Sequence, residues 1–275
     1  MNMLMIASSP LKNNYKLMEN LVLYSVNERI ATITINRPEK RNALNPALIE
    51  ALTEAFLQAE EDELVKVIVL NSNGNTFSAG ADLEYLQQLQ NNNFEENVAD
   101  SNRLKKLFTT IYYLPKIVIA QVEGHAIAGG CGLATICDII FATPESSFGY
   151  TEVKIGFVPA IVSCFLMQKV NETIAREILL TGKTFPAEQA LKYNLINFVT
   201  NSSEINQKVK EFALSLCRES SGNSLMITKQ LISQTTKPLL EKTLETAVQI
   251  NARVRESDDF KKGIAAFLNK EKINW

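Results

Sequence analysis

A chain of 275 residues that is 46% hydrophobic and 21% charged has the composition of a globular protein with a full core. Its 28 basic and 30 acidic residues leave a net charge of −2 without a long run of one sign, which argues against nucleic acid or a membrane surface as partner. The cysteines at 131, 137, 164 and 217 sit in apolar segments without a C-x-x-C pair, and His125 is the single histidine. That pattern predicts buried, reduced thiols in a cytoplasmic protein rather than a metal or disulfide framework.

In chain order, Met1 to Ala7 are mildly apolar but lack a basic start and are too short for a membrane span, so residues 1–18 read as a flexible tail. Leu21 to Val26 and Ile30 to Ile35 predict a hairpin around Asn27-Glu28-Arg29. From Pro46 to about Glu63, Leu48, Leu52, Ala55, Phe56 and Ala59 recur at helical spacing, and Val67 to Leu70 follow as a buried strand. Thr76-Phe77-Ser78 lead into a small-residue turn, Ala79-Gly80-Ala81, after which Asp82 can cap a helix. Gln87 to Asp100, with three consecutive asparagines, reads as a polar loop without distinctive chemistry. Leu104, Leu107, Phe108 and Ile111 mark a helix that ends before Pro115, and Ile117 to Ala120 a strand.

The second turn, Ala128-Gly129-Gly130-Cys131-Gly132, precedes a short helix from Leu133 to Cys137 and a strand from Ile139 to Ala142. Beyond Glu152, helices are predicted over Ile161 to Val170, Thr173 to Leu180 and Pro186 to Tyr193, then a strand at Ile196 to Val199. From Glu204 the chain reads as helical, broken near Ser221-Gly222 and at Pro238.

Either glycine turn alone reads as close helix–strand packing. Two of them ahead of one carboxylate point instead to a carbonyl site, with backbone N–H groups as an oxyanion hole and Glu152 as acid/base. Phe148, Ile155, Phe157 and Val158 flank Glu152, an apolar setting that raises a carboxyl pKa. His125 reads as a structural imidazole. Gly182-Lys183-Thr184 is not a phosphate-binding loop, because Glu177 stands where that motif needs glycine, and neither G-x-S-x-G nor H-E-x-x-H occurs.

Asn36-Arg37-Pro38, Arg41 to Asn45, Phe77 to Leu83, Gly124 to Asp138, Phe148 to Pro159 and the closing Phe267-Leu268 with Lys270 fall in order. On these motifs the chain resembles the crotonase, or enoyl-CoA hydratase/isomerase, family from about Leu21 to Trp275. The resemblance implies an α/β fold, a spiral of β-β-α turns over residues 19–203 and a helical trimerisation region over 204–275, assembled as a homotrimer or dimer of trimers. It implies an acyl-CoA thioester substrate, no cofactor beyond the coenzyme A of that substrate, and no metal. Ala81 and Gly129 would supply the oxyanion hole and Glu152 the catalytic carboxyl. Ala79 would meet the adenine, Lys40 and Arg41 the phosphates, and Ala43, Asp82 and Leu83 would join the substrate-binding positions. Phe267 and Lys270 would reach coenzyme A from a neighbouring subunit.

One departure stands out: family hydratases carry two glutamates, and Gly132 occupies the place of the first. Ser78 to Leu83, Gly130-Cys131-Gly132-Leu133 and Val158 to Ser163 together resemble a bacterial subgroup named for methylglutaconyl-CoA hydration, which implies hydration of a 2-enoyl-CoA. The lone glutamate alone favours the alternative, a 3-enoyl-CoA to 2-enoyl-CoA isomerase. A non-catalytic acyl-CoA binder is a third reading.

Overall fold

The computed structural model describes residues 21–275; the tail expected over residues 1–18 lies outside them. β1 (Val22–Asn27) and β2 (Ile30–Ile35) form the predicted antiparallel hairpin. Glu28 at φ 48° and Arg29 at φ 68° give its turn the left-handed pair that matches strand twist.

Beside β2, the strands β3 (Val67–Ser72), β5 (Ile117–Val122), β7 (Ile139–Ala142) and β10 (Phe198–Val199) add in parallel, in the order β1-β2-β3-β5-β7-β10. A second sheet, ordered β4-β6-β8-β9, is built from β4 (Thr76–Ser78), β6 (His125–Ile127), β8 (Ser147–Gly149) and β9 (Phe185–Pro186). Helices fall between successive strands: α1 (Pro46–Glu61), α2 (Leu83–Leu89), α3 (Phe94–Tyr113), α4 (Gly129–Thr135), α5 (Ala160–Lys169), α6 (Glu172–Thr181) and α7 (Ala187–Lys192). The result is the α/β spiral, closed by α8 (Ile205–Glu219), α9 (Gly222–Gln234), α10 (Lys237–Val254) and α11 (Asp258–Asn269).

α1 shows why the pattern holds. Asn45 caps it by accepting from the Leu48 N–H at 2.9 Å, Pro46 fits the first turn, and Leu48, Leu52 and Phe56 are fully buried. Each such side chain contributes about 1.5–3 kcal/mol of apolar burial. α8 buries Ile205, Val209 and Ala213 against Val67, Val69, Ile119 and Phe141 of the large sheet.

The loop expected over Gln87 to Asp100 is a correction. α2 runs to Leu89 and α3 begins at Phe94, held by a reciprocal capping box in which Asn93 Oδ1 accepts from the Glu96 N–H and Glu96 Oε2 from the Asn93 N–H. Its first turns bury polar residues, Asn97, Asp100 and Ser101, which carry no hydrophobic period. The helix expected at Leu133 begins earlier, at Gly129, and the strand expected over Ile196 to Val199 narrows to β10. Among the described residues no helix is long and apolar enough to cross a membrane, and all four cysteines are buried and unpaired.

Candidate active site

β4, β6 and β8 are parallel neighbours, pairing Ser78 with Ala126 and Ile127 with Gly149. Their carboxyl ends therefore deliver the first glycine turn, the second glycine turn and the segment of Glu152 to one place, the usual location of ligand sites on parallel strands. These strands of three residues each are too short to show a period, and the sequence shows them only as approaches to the turns.

The two turns touch. A methyl on Gly80 would stand 3.0 Å from both Ala128 Cβ and the Ile127 carbonyl oxygen, and 3.7 Å from the Gly129 nitrogen. Gly130 lies so close to β4 that a Cβ there would meet the Ser78 carbonyl oxygen at 2.4 Å. A parallel bridge between Leu44 and Ala81 uses the Gly80 carbonyl at 2.7 Å and the Asp82 N–H at 2.9 Å, leaving the Ala81 N–H turned away from it. Gly129 opens α4, where the first N–H groups have no acceptor within the helix. Ala128 between them holds φ 51° and ψ −124°, a glycine-like conformation pinned by its N–H bond to the Gly149 carbonyl at 2.7 Å. Strain of about 1–3 kcal/mol at such a residue is commonly held at a functional turn.

Ala81 and Gly129 line a cavity of about 130 Å³, together with Glu152 and an apolar wall that includes Leu86, Phe157 and Val162. Glu152 opens a 3-10 turn, Glu152–Ile155, after β8 and is only 6% exposed. Its Oε2 has no hydrogen-bond partner among the described residues. Burial pushes this carboxyl up to about 7, so it exchanges protons near neutrality.

Gly132 has no room for a side chain. A Cβ there would stand 2.4 Å from Val162 Cγ1 and 2.9 Å from Phe108 Cε2, so apolar groups fill the volume that a first glutamate would need.

Of the expected substrate contacts, Ala79 and Phe267 line the cavity, whereas Lys40, Arg41, Ala43, Asp82, Leu83 and Lys270 do not. Asp82 is committed to structure: it caps α2 by accepting from the Glu84 and Tyr85 N–H groups and pairs with Arg37. Burial alone would raise its carboxyl, but the Arg37 and amide bonds outweigh that and hold it below the ordinary range. Arg37 also donates to the Ala43 carbonyl at 2.9 Å, fixing the chain ahead of the first turn. Lys40 is exposed and paired with Glu84 at 2.5 Å. Lys270 ends α11 in a left-handed conformation.

Phe267, expected to reach coenzyme A of a neighbouring subunit, lines the cavity of its own chain. α11 makes this possible by docking on the Glu152 turn: a Cβ on Gly263 would stand 2.2 Å from the Ile155 carbonyl oxygen, and one on Gly156 2.2 Å from that of Asp259. His125 is exposed and bonds Ser147 Oγ at 2.7 Å, away from the cavity.

Three buried polar residues in the cavity wall, Asp100, Asn251 and Arg255, escaped the sequence reading. A signal existed for the first: Asn97, Asp100 and Ser101 continue upstream the helical stripe of Leu104, Leu107 and Ile111.

A provisionally named enoyl-CoA hydratase of Thermus thermophilus is 39% identical over 241 residues, 88% of this chain and 95% of that protein. The trans-2-decenoyl-[acyl-carrier-protein] isomerase of Streptococcus mutans is 25% identical across 91% of this chain and 96% of its own. A crystal structure of an enoyl-CoA hydratase from Mycobacterium avium superimposes with a TM-score of 0.83 at 32% identity, covering 93% of this chain and 98% of the other. The family model for enoyl-CoA hydratase/isomerase matches residues 25–275. The chain belongs to the enoyl-CoA hydratase/isomerase family, enzymes that hydrate or isomerise an enoyl-CoA.

Proposed function

We propose that this protein hydrates a 2-enoyl-CoA, with 3-methylglutaconyl-CoA as the first substrate to try, and that Glu152 handles both proton steps. The observation that carries this reading is the buried Glu152 carboxyl, whose Oε2 has no partner among the described residues, in the cavity that Ala81 and Gly129 also line. The thioester oxygen sits between the Ala81 and Gly129 N–H groups. Glu152 takes a proton from water as the oxygen adds to the β-carbon, the electron pair moves onto the thioester oxygen, and the enolate collapses as the same carboxyl returns a proton to the α-carbon. Each amide aimed at that oxygen contributes about 2.7–4 kcal/mol, and the acid/base group about 10²–10⁴ in rate. The chemistry uses no cofactor beyond the coenzyme A of the substrate.

The packed space at Gly132 favours a second reading, isomerisation. Glu152 then removes a proton from the α-carbon of a 3-enoyl-CoA and returns it to the γ-carbon, which needs one carboxyl and no held water. Mass spectrometry after incubation in deuterium oxide with 3-methylglutaconyl-CoA and with a straight-chain 3-enoyl-CoA separates the two. Hydration gives a product heavier by one deuterated water. A shifted double bond with deuterium and no added oxygen makes the protein an isomerase and overturns the first reading.

A further inference from the structure

The cavity wall opposite in character to the glycine turns is built by α2, α3 and α10, and it is polar where a hydrocarbon slot needs no polarity. Arg255 Nη1 pairs with Asp100 Oδ2 at 2.7 Å, and the two side chains are 6% and 7% exposed. Tyr85 Oη donates to Asp100 Oδ1, Arg255 Nη1 reaches Asn97 Oδ1 at 3.3 Å, and the guanidinium lies 5.7 Å from the Phe157 ring centroid. Arg103, half exposed, approaches Asp100 Oδ1 at 3.8 Å. After these contacts, Arg255 Nε and Asn251 Oδ1 are buried and still without partners among the described residues. Both residues line the cavity.

A buried donor or acceptor left unmet forfeits its hydration with nothing in return, and the penalty is greater on a charged group. Two such atoms on one wall of one cavity are best met by the same ligand. Asp100 meanwhile fixes the guanidinium through one edge and leaves Nε–H to donate. Asn251 can accept through Oδ1 or, after a half-turn of its amide, donate through Nδ2.

We infer that the acyl pocket takes an acyl chain bearing an oxygen at its far end, received by Arg255 Nε and the Asn251 amide. This rests on the reading of the cavity as the acyl slot of an enoyl-CoA site. The shared chemistry is a hydrogen-bond-accepting oxygen, supplied by a terminal carboxylate or by a terminal hydroxyl.

The test compares kcat/KM of the intact protein on 2-enoyl-CoA substrates of equal length that end in methyl, hydroxyl or carboxylate. At least tenfold preference for an oxygenated tail is expected, and the better of the two names the source. Replacing the ion pair as a unit, Asp100→Leu with Arg255→Met, removes both charges together and avoids stranding one. That double variant, and separately Asn251→Leu, should shrink the ratio of oxygenated to methyl turnover. Equal or better turnover of the methyl substrate by the unaltered protein overturns the inference while leaving enoyl-CoA chemistry in place. If none of these 2-enoyl substrates turns over, the hydration reading fails. Calorimetric Kd values for the corresponding saturated acyl-CoAs then decide the inference: tenfold tighter binding of an oxygenated tail supports it, and equal binding overturns it.

Discussion

Glu152 is a carboxyl whose environment sets both its reactivity and its effect on stability. With burial holding it at about 7, the carboxylate that must accept a proton becomes the major form only above that pH. The rate kcat/KM of the free enzyme should therefore rise through about pH 7, and Glu152→Gln should lower kcat by about 10²–10⁴ while acyl-CoA binding persists. Retained turnover in that variant removes Glu152 from the mechanism. The stability consequence has the opposite direction. Between the ordinary carboxyl value of about 4.3 and the folded value, the native chain keeps a proton that the unfolded chain has released, so stability falls as pH rises through that window. Thermal melts of the native protein and Glu152→Gln should diverge across it, by on the order of 3 kcal/mol at most, and run parallel above it. Gly132 makes a second residue-scale prediction. Gly132→Ala should destabilise by about 1–3 kcal/mol through overpacking, and Val162→Ala added to it should recover much of the loss. Simple addition of the two losses in denaturant melts means that Val162 is not the obstacle. The two glycine turns and Glu152, which the fold brings to one cavity, could be picked out in the sequence because glycine marks close backbone approach and a glutamate among apolar residues stands out. Asn251 and Arg255 were not, since a buried polar side chain and a solvated one look alike until the partner helix is in place.

At the scale of elements, long apolar stripes were readable and short or polar ones were not. α1, β3 and β5 announce themselves, whereas β4, β6 and β8 are defined by their pairing and α3 opens on residues that are buried yet polar. The docking of α11 was equally hidden, because Gly156 and Gly263 lie far apart in sequence and their meaning is a backbone-to-backbone approach. That approach places Phe267 at the cavity and braces the turn that carries Glu152. Gly263→Ala forces a Cβ against the Ile155 carbonyl. It should lift α11, loosen the Glu152 turn and lower kcat/KM by about tenfold or more, whereas the exposed Lys261→Ala should stay within ~0.5 kcal/mol in stability. Equal activity in the two variants separates α11 from the site.

For the whole molecule, the C-terminal helices both complete the core and offer a surface. α9 is tied down where Lys229 Nζ meets Asp138 Oδ2 at 2.7 Å and the Lys116 carbonyl at 3.0 Å, while α10 packs against α3. Their outer faces leave Leu231, Ile232 and Leu239 each at least 60% exposed, a concentration of large apolar groups of the kind that marks an interface. The family resemblance implies a homotrimer or a dimer of trimers, and we propose that this face carries it. Light scattering should give three or six times the chain mass of 30.7 kDa, and Leu231→Glu with Ile232→Glu should reduce it to one. An unchanged mass places the contact elsewhere. The same variant asks whether a neighbour is needed at the site. Since the cavity already holds Phe267 of its own chain, the monomer should keep its affinity for acyl-CoA. A collapse in affinity on dissociation, with the melting profile intact, would instead mean that groups of an adjoining subunit, the cationic Lys270 among them, complete the coenzyme A contacts.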